Sequence, residues 1–194
     1  MNRSRPVGVV LAAGAGRRMG VPKALVRGTD GEPWLARAVG ILLDAGCSPV
    51  VAVLGAAADE ARALLPADPR VEVVVAADWR LGMSASLAAG LHASSSTTGA
   101  TVAVVTLVDL PALPLAAVKR LLEPPLEAST LRRAGWHDGA PGHPVVIGRD
   151  HWAPILDWLA GDAGARGYLL AHGAALVDCS DLGDGSDVDS FGTP

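Results

Sequence analysis

The chain has only two cysteines among 194 residues, Cys47 and Cys179. That is too few for a disulfide scaffold, and a reducing compartment is the natural setting. Neither cysteine stands at metal-ligand spacing from another Cys or His, so no structural zinc site is implied. Long hydrophobic runs are also missing. The first apolar stretch, Val7 to Ala13, is ended by glycines, far short of the roughly 20 residues a membrane-crossing helix needs. Met1-Asn2-Arg3-Ser4-Arg5-Pro6 does not read as a secretory leader. A cytoplasmic location with no membrane partner is expected. Positive charge is not in excess: the net charge of -4 argues against a general nucleic-acid binder. What remains is ordinary for a globular protein, with 50% hydrophobic and 19% charged residues. Alanine and glycine are spread evenly, and the length suits one domain over residues 1–194 with a substantial core.

Strand-like and helix-like segments alternate along that length. Val7 to Ala13, Pro49 to Leu54, Val71 to Ala76 and Thr101 to Val108 read as buried strands. Between and after them, Pro33 to Ala45, Ala57 to Leu65, Ser84 to Ser94 and Pro114 to Leu122 read as helices, with Ser84 as a candidate N-cap. Beyond Pro124-Pro125 the pattern loosens. Ser129 to Arg133 and Pro144 to Ile147 read as strands around a Gly/Pro-rich loop, Gly135 to Gly142. Helical stretches at Asp150 to Leu159 and Ala163 to Ala171, a strand at Ala175 to Asp178 and an acidic tail over 181–194 complete the chain. Repeated βα units predict an α/β fold, a single three-layer α/β/α domain on a mostly parallel sheet. Ligands of such sheets bind at the carboxyl ends of the strands.

The first strand runs into three glycines and three cations: Gly14-Ala15-Gly16-Arg17-Arg18-Met19-Gly20-Val21-Pro22-Lys23. Bare backbone N–H groups and nearby positive charge suit a polyphosphate. A Walker A loop needs Gly-Lys-Ser/Thr opening a helix, but Lys23 follows Pro22, and Ala24 replaces the magnesium-binding hydroxyl. A dinucleotide fingerprint wants its third glycine one place earlier and an acid at the end of the second strand. Val53-Leu54 stands there instead.

Leu11-Ala12-Ala13-Gly14-Ala15-Gly16-Arg17-Arg18-Met19-Gly20, followed by Pro22-Lys23-Ala24-Leu25, resembles the signature loop of the molybdenum cofactor nucleotidyltransferase family, the MobA-like NTP transferases. Later segments resemble the family in order. Asp78-Trp79-Arg80-Leu81-Gly82-Met83-Ser84-Ala85-Ser86-Leu87 matches its second nucleotide-contacting segment, and Val108-Asp109-Leu110-Pro111 its Asp-x-Pro metal motif. Gly142-His143-Pro144-Val145 matches a segment near the acceptor, and Asp187-Val188-Asp189-Ser190 a C-terminal motif in which Phe191 here replaces the usual proline.

The resemblance implies a Rossmann-like, GT-A-like nucleotidyltransferase fold and transfer of an NMP unit from an NTP to a phosphate acceptor, with release of pyrophosphate. It implies Lys23, Arg18 and Asp109 as catalytic residues: Arg18 for the leaving pyrophosphate, Lys23 for charge building on the α-phosphate. Leu11, Ala12, Ala13, Gly14, Gly16, Gly82, Ser84 and Ser86 join Arg18 and Lys23 in holding the nucleotide. Asp109 and Asp189 would hold Mg2+, and His143 the acceptor. Arg17 reads as solvent-facing, while Trp79 and Trp136 read as packing residues that lie near the site loops. Guanylyl members tend to read Leu-Ala-Gly-Gly at the strand end and cytidylyl members Pro-Ala-Ala-Gly; this chain reads Leu11-Ala12-Ala13-Gly14. A methyl at Ala13 takes space a purine would need, so CTP is favoured as nucleotide and molybdopterin as acceptor, with an apo molybdenum hydroxylase as a further partner. Guanylyl or sugar-phosphate transfer on the same scaffold is the alternative within the class. A non-catalytic nucleotide-binding accessory for a molybdenum enzyme is the alternative outside it.

Overall fold

A computed structural model of the chain describes residues 5–183 and 185–188. Seven strands form one sheet: β1 (Arg5–Ala12), β2 (Val50–Leu54), β3 (Val71–Val75), β4 (Ala100–Leu107), β5 (Leu131–Gly135), β6 (Pro141–Gly148) and β7 (Ala175–Asp178). Their order across the sheet is β3-β2-β1-β4-β6-β5-β7. Among the described residues, β6 alone runs against its neighbours, antiparallel to both β4 and β5, and every other strand pairing is parallel.

The strands at the centre alternate which face each residue supplies, as period-2 geometry requires. Val10, Ala12, Val50, Ala52, Val102 and Val104 join one core layer, while Val7, Val9, Val51, Val53, Ala103 and Val105 join the other. Both faces are apolar because both are covered. α1 (Trp34–Asp44) and α4 (Leu115–Leu121) close the first, α3 (Met83–Ser95), α5 (Trp152–Leu156) and α6 (Arg166–Ala171) the second. The short α2 (Ala58–Arg62) adds Ala61 to the first layer. In α1 the helical spacing of Leu35, Val39 and Leu42 puts all three at 0% exposure. Each such side chain contributes about 1.5–3 kcal/mol by leaving water. Pro33 stands as the N-cap in extended conformation, and Gly46 follows the last turn in the left-handed region (φ 90°). The three-layer α/β/α architecture expected from the βα alternation is the one observed. Cys47 and Cys179 are both buried free thiols.

Three local expectations are adjusted. α3 starts at Met83 with Gly82 as N-cap and no side-chain capping bond, so Ser84 lies inside the helix rather than capping it. The Gly/Pro-rich loop read over Gly135 to Gly142 is present but shorter, over residues 136–140. β5 runs on to Gly135 and β6 begins at Pro141, with Ala134 opposite Gly142 and only a tight turn between them. The helix expected over Asp150 to Leu159 is one 3-10 turn and five α-helical residues. Among the described residues, no helix is long and apolar enough to cross a membrane.

Candidate functional site

The glycine loop leaves the carboxyl end of β1. Ala13 is buried, and its carbonyl accepts the Ala56 N–H at 2.9 Å, tying the loop's root to the end of β2. Gly16 turns the chain back with φ 60°, and its carbonyl accepts the Met19 N–H at 3.0 Å. A Cβ on Gly16 would overlap the Val21 carbonyl oxygen, so the turn admits no larger residue. Met19 and Val21 pack down on the first core layer and fold the loop over it. A 3-10 turn, Lys23–Leu25, follows Pro22; it buries Ala24 completely and aims Lys23 at the strand ends.

Lys23 meets Asp109 there. Val108 extends the β4 pairing by donating to the Leu11 carbonyl at 3.1 Å, and Asp109 comes next, 9% exposed. Lys23 Nζ donates to Asp109 Oδ2 at 2.6 Å. The other oxygen, Oδ1, is buried with no hydrogen-bond partner. A buried carboxylate oxygen without a donor is costly, and it is the group a hard divalent cation takes up. Magnesium needs only one or two carboxylates, the rest of its shell coming from phosphate and water. Among the described residues, no group of three or more His, Cys, Asp or Glu side chains is placed to hold a metal ion.

The acidic tail returns to the same place. Arg120 donates to the Asp178 carbonyl at 2.8 Å and to Asp181 Oδ2 at 2.9 Å, which anchors its start. Leu182 and Val188 pack on the core, and the Val188 N–H donates to the Asp109 carbonyl at 2.9 Å. Asp189, the expected second metal ligand, lies outside the described residues.

The opposite wall comes from residues 79–86. Gly55 has no side chain because a Cβ there would stand 2.7 Å from Trp79 Cγ and 2.8 Å from Ala13 Cβ. Trp79 thus settles beside Ala13, with the Arg80 guanidinium 4.5 Å above its ring. Gly82, at φ 107°, opens α3, and the Met83 N–H donates to Asp162 Oδ1 at 3.3 Å, in a loop 79 residues away. Together these parts enclose a cleft of about 320 Å³. Leu11, Ala12, Ala13, Gly14, Gly16, Lys23, Gly82, Ser86 and Asp109, all expected at the site, line it. Ser84 does not; it is buried, and its Oγ has no partner. Arg17 is exposed, as expected, and also lines the cleft, while Arg18 is outside its wall. Asp162 and Trp79 also line it. Nothing in the local sequence marks Asp162, which reaches the site only because its loop packs against Gly82.

His143 lies in a second, smaller cavity of about 80 Å³ that shares Leu11 and Met83 with the cleft. Burial pushes its imidazole pKa down to about 4, with the Arg133 charge adding to the effect and Asp187 opposing it. Trp136, buried in the core, donates its Nε1–H to the His143 carbonyl at 3.0 Å and holds the segment in place. It packs as a core residue should.

Comparison with known proteins agrees with this geometry. Residues 8–176 match the MobA-like NTP transferase domain. The chain is 38% identical over 191 residues to Nicotine blue oxidoreductase from Paenarthrobacter nicotinovorans, covering 94% of this chain and 91% of that one. Among solved structures it superposes on Rv0371c from Mycobacterium tuberculosis H37Rv with a TM-score of 0.77, at 29% identity over 96% of this chain and 94% of the other. That relative has also been solved in complex with manganese. A nucleotidyl transferase from Methanothermobacter matches with a TM-score of 0.73, at 27% identity over 90% of this chain and 87% of the other.

Proposed function

The chain belongs to the MobA-like NTP transferase family, and from that premise we propose that it is a divalent-metal-dependent nucleotidyltransferase moving CMP from CTP onto the phosphate of a molybdopterin-type acceptor. The observation that carries this reading is the unpartnered, buried Oδ1 of Asp109 beside Lys23 at the foot of a glycine loop. Both reactants are anionic, so charge neutralisation and alignment dominate such a reaction. An acceptor phosphate oxygen attacks the α-phosphorus, the bond to the bridging oxygen breaks, and pyrophosphate leaves. The backbone from Gly14 to Gly20 cradles the β- and γ-phosphates. Lys23 offsets charge on the α-phosphate. Arg17, in the cleft wall, and Arg18, next to it in the loop, supply positive charge for the departing pyrophosphate. Asp109, with Asp189, would hold Mg2+, which when bound supplies Lewis-acid neutralisation of phosphate charge. The Ala13 methyl, wedged beside Gly55 and Trp79, narrows the base end of the cleft and favours a pyrimidine.

Calorimetric titration with CTP and with GTP in magnesium tests the base: CTP binds at least tenfold tighter, and tighter GTP sinks the assignment. Pyrophosphate release across molybdopterin and sugar-phosphate acceptors tests the acceptor.

A second reading rests on the 38% identity to a relative named as an oxidoreductase. On it, the cleft holds a nicotinamide nucleotide, and hydride passes to an aromatic acceptor. The glycine loop lacks the dinucleotide spacing, and the Lys23–Asp109 pair has no task in hydride transfer. Oxidation of NADH or NADPH by nicotine blue, without pyrophosphate release from any NTP, would replace the first reading with the second.

A further inference from the structure

The second cavity holds more charge than its histidine explains. Arg133, on β5, stands opposite Val145 of β6, and its side chain turns into the cavity that His143 lines. Arg133 Nε is buried with no hydrogen-bond partner. Arg166, at the start of α6, lines the same cavity from the helix layer. Among the described residues, neither guanidinium is paired with a carboxylate. Arg37, Arg70 and Arg120 each hold an aspartate, and Arg27, Arg132 and Arg149 donate to backbone carbonyls. Two like charges thus face one pocket, Arg133 half-buried with one donor unused and Arg166 exposed at its mouth, an arrangement that an entering anion relieves.

We propose that Arg133 and Arg166 form a subsite for a phosphate-like oxyanion carried by the acceptor, with His143 beside them as a neutral hydrogen-bonding group. Assigning the anion to the acceptor rests on the nucleotidyl-transfer reading above; the anion site itself does not. The cavity's size suits one tetrahedral oxyanion and excludes a nucleotide. Its sharing of Leu11 and Met83 with the nucleotide cleft makes it continuous with the place where transfer occurs. The remaining wall, including Leu87, Val105, Val145 and Leu169, is apolar and offers a dry surface that strengthens a charge-assisted bond. The arginine itself registers the strain: burial, and then the Arg166 charge, pull the Arg133 pKa below the usual arginine range. The low His143 pKa keeps a third positive charge out of the cavity at neutral pH.

Isothermal titration with inorganic phosphate tests the site in wild type, Arg133→Met, Arg166→Met, Arg133→Lys and Lys23→Met. The expected result is a phosphate affinity that falls at least tenfold in each Arg→Met variant, is largely kept in Arg133→Lys and persists in Lys23→Met. Arg133→Met should also melt higher than wild type in phosphate-free buffer, the opposite of what a structural arginine gives. Phosphate affinity unchanged in both Arg→Met variants, or lost only with Lys23, overturns the proposal. In turnover, Arg166→Met should raise the acceptor KM at least tenfold and leave the CTP KM within twofold. An unchanged acceptor KM overturns the assignment to the acceptor. Arginine-dependent phosphate binding without pyrophosphate release would instead overturn nucleotidyl transfer and leave the anion site standing.

Discussion

Removing Lys23 should cost far more stability than removing Asp109, although both are proposed to act in turnover. The Lys23–Asp109 pair is close, at 2.6 Å, and sheltered, with side chains 17% and 13% exposed. At an effective dielectric near 20, unit charges about 4 Å apart attract by about 4 kcal/mol. Desolvation of both groups offsets much of that, so the intact pair contributes little net stability. Lys23→Met leaves Asp109 charged and buried, with neither oxygen hydrogen-bonded among the described residues. Breaking a buried pair this way costs about 3–5 kcal/mol, and the residual exposure argues for the lower end, about 3. At about 2–4 °C per kcal/mol for a chain of this size, the melting temperature should fall roughly 6–12 °C.

Asp109→Asn removes the charge that was expensive to bury and should cost no more than about 1 kcal/mol. The double variant Lys23→Met/Asp109→Asn should therefore recover most of what Lys23→Met loses, a coupling of about 2 kcal/mol. Urea unfolding in chelator-treated buffer measures all four proteins. Added Mg2+ or Mn2+ should raise the melting temperature of wild type and Lys23→Met but not of either Asp109→Asn protein. Additive single effects, or a metal response surviving in Asp109→Asn, would refute the claim that Oδ1 is held open for a cation.

Two further measurements probe the loops. Gly16→Ala should melt well below wild type and bind no CTP, because its φ of 60° and the nearby Val21 carbonyl leave no room for a methyl. Gly14→Ala, which meets nothing within 4 Å, should change stability by less than about 0.5 kcal/mol, and differential scanning fluorimetry separates the two. His143 should titrate near pH 4 by proton NMR, well below the ordinary imidazole range. Because the unfolded state takes up its proton at higher pH, stability is lost as pH falls from about 6.5 to about 4, by up to about 3 kcal/mol. His143→Asn should flatten that limb, and equal acid sensitivity in both proteins would refute it.

The parts of the fold legible in the sequence were those whose signal is local. Val7 to Ala13 and Thr101 to Val108 are continuous apolar runs, and a strand buried on both faces leaves just that trace. The α1 stripe is equally plain. Ser84 misled because its residue type suits a cap, whereas Gly82 takes the position by adopting a φ of 107° that serine avoids. The extensions of β5 and β6 were hidden since Gly135, Pro141 and Gly142 discourage strands in isolation. Cross-strand pairing overrides that preference. Asp162, the Arg133–Arg166 pair and the open oxygen of Asp109 are products of tertiary approach, and no spacing along the chain encodes them.

The direction of β6 decides where the two halves of the site lie. In a wholly parallel sheet, the segment before a strand and the turn after a strand occupy opposite edges. Asp109 follows β4, and His143 sits near the start of β6, so parallel strands would have kept them apart. β6 is antiparallel, with Val145 opposite Val105. From that rung His143 is two residues toward the same edge and Asp109 four, within about 15 Å along the strands at 3.3 Å per residue. The reversal also sets Arg133, paired to β6 from β5, beside His143 in the smaller cavity. The Gly-His-Pro segment therefore comes to the same edge as the strand-end cleft through a single reversed strand, with His143 in the adjoining cavity, and the Trp136 bond to the His143 carbonyl keeps that strand's start in place. Trp136→Phe keeps the ring's bulk but removes this donor. It should raise the acceptor KM several-fold while the CTP affinity stays within twofold; a parallel loss of CTP binding would show that the β5–β6 turn supports the whole cleft rather than its acceptor half.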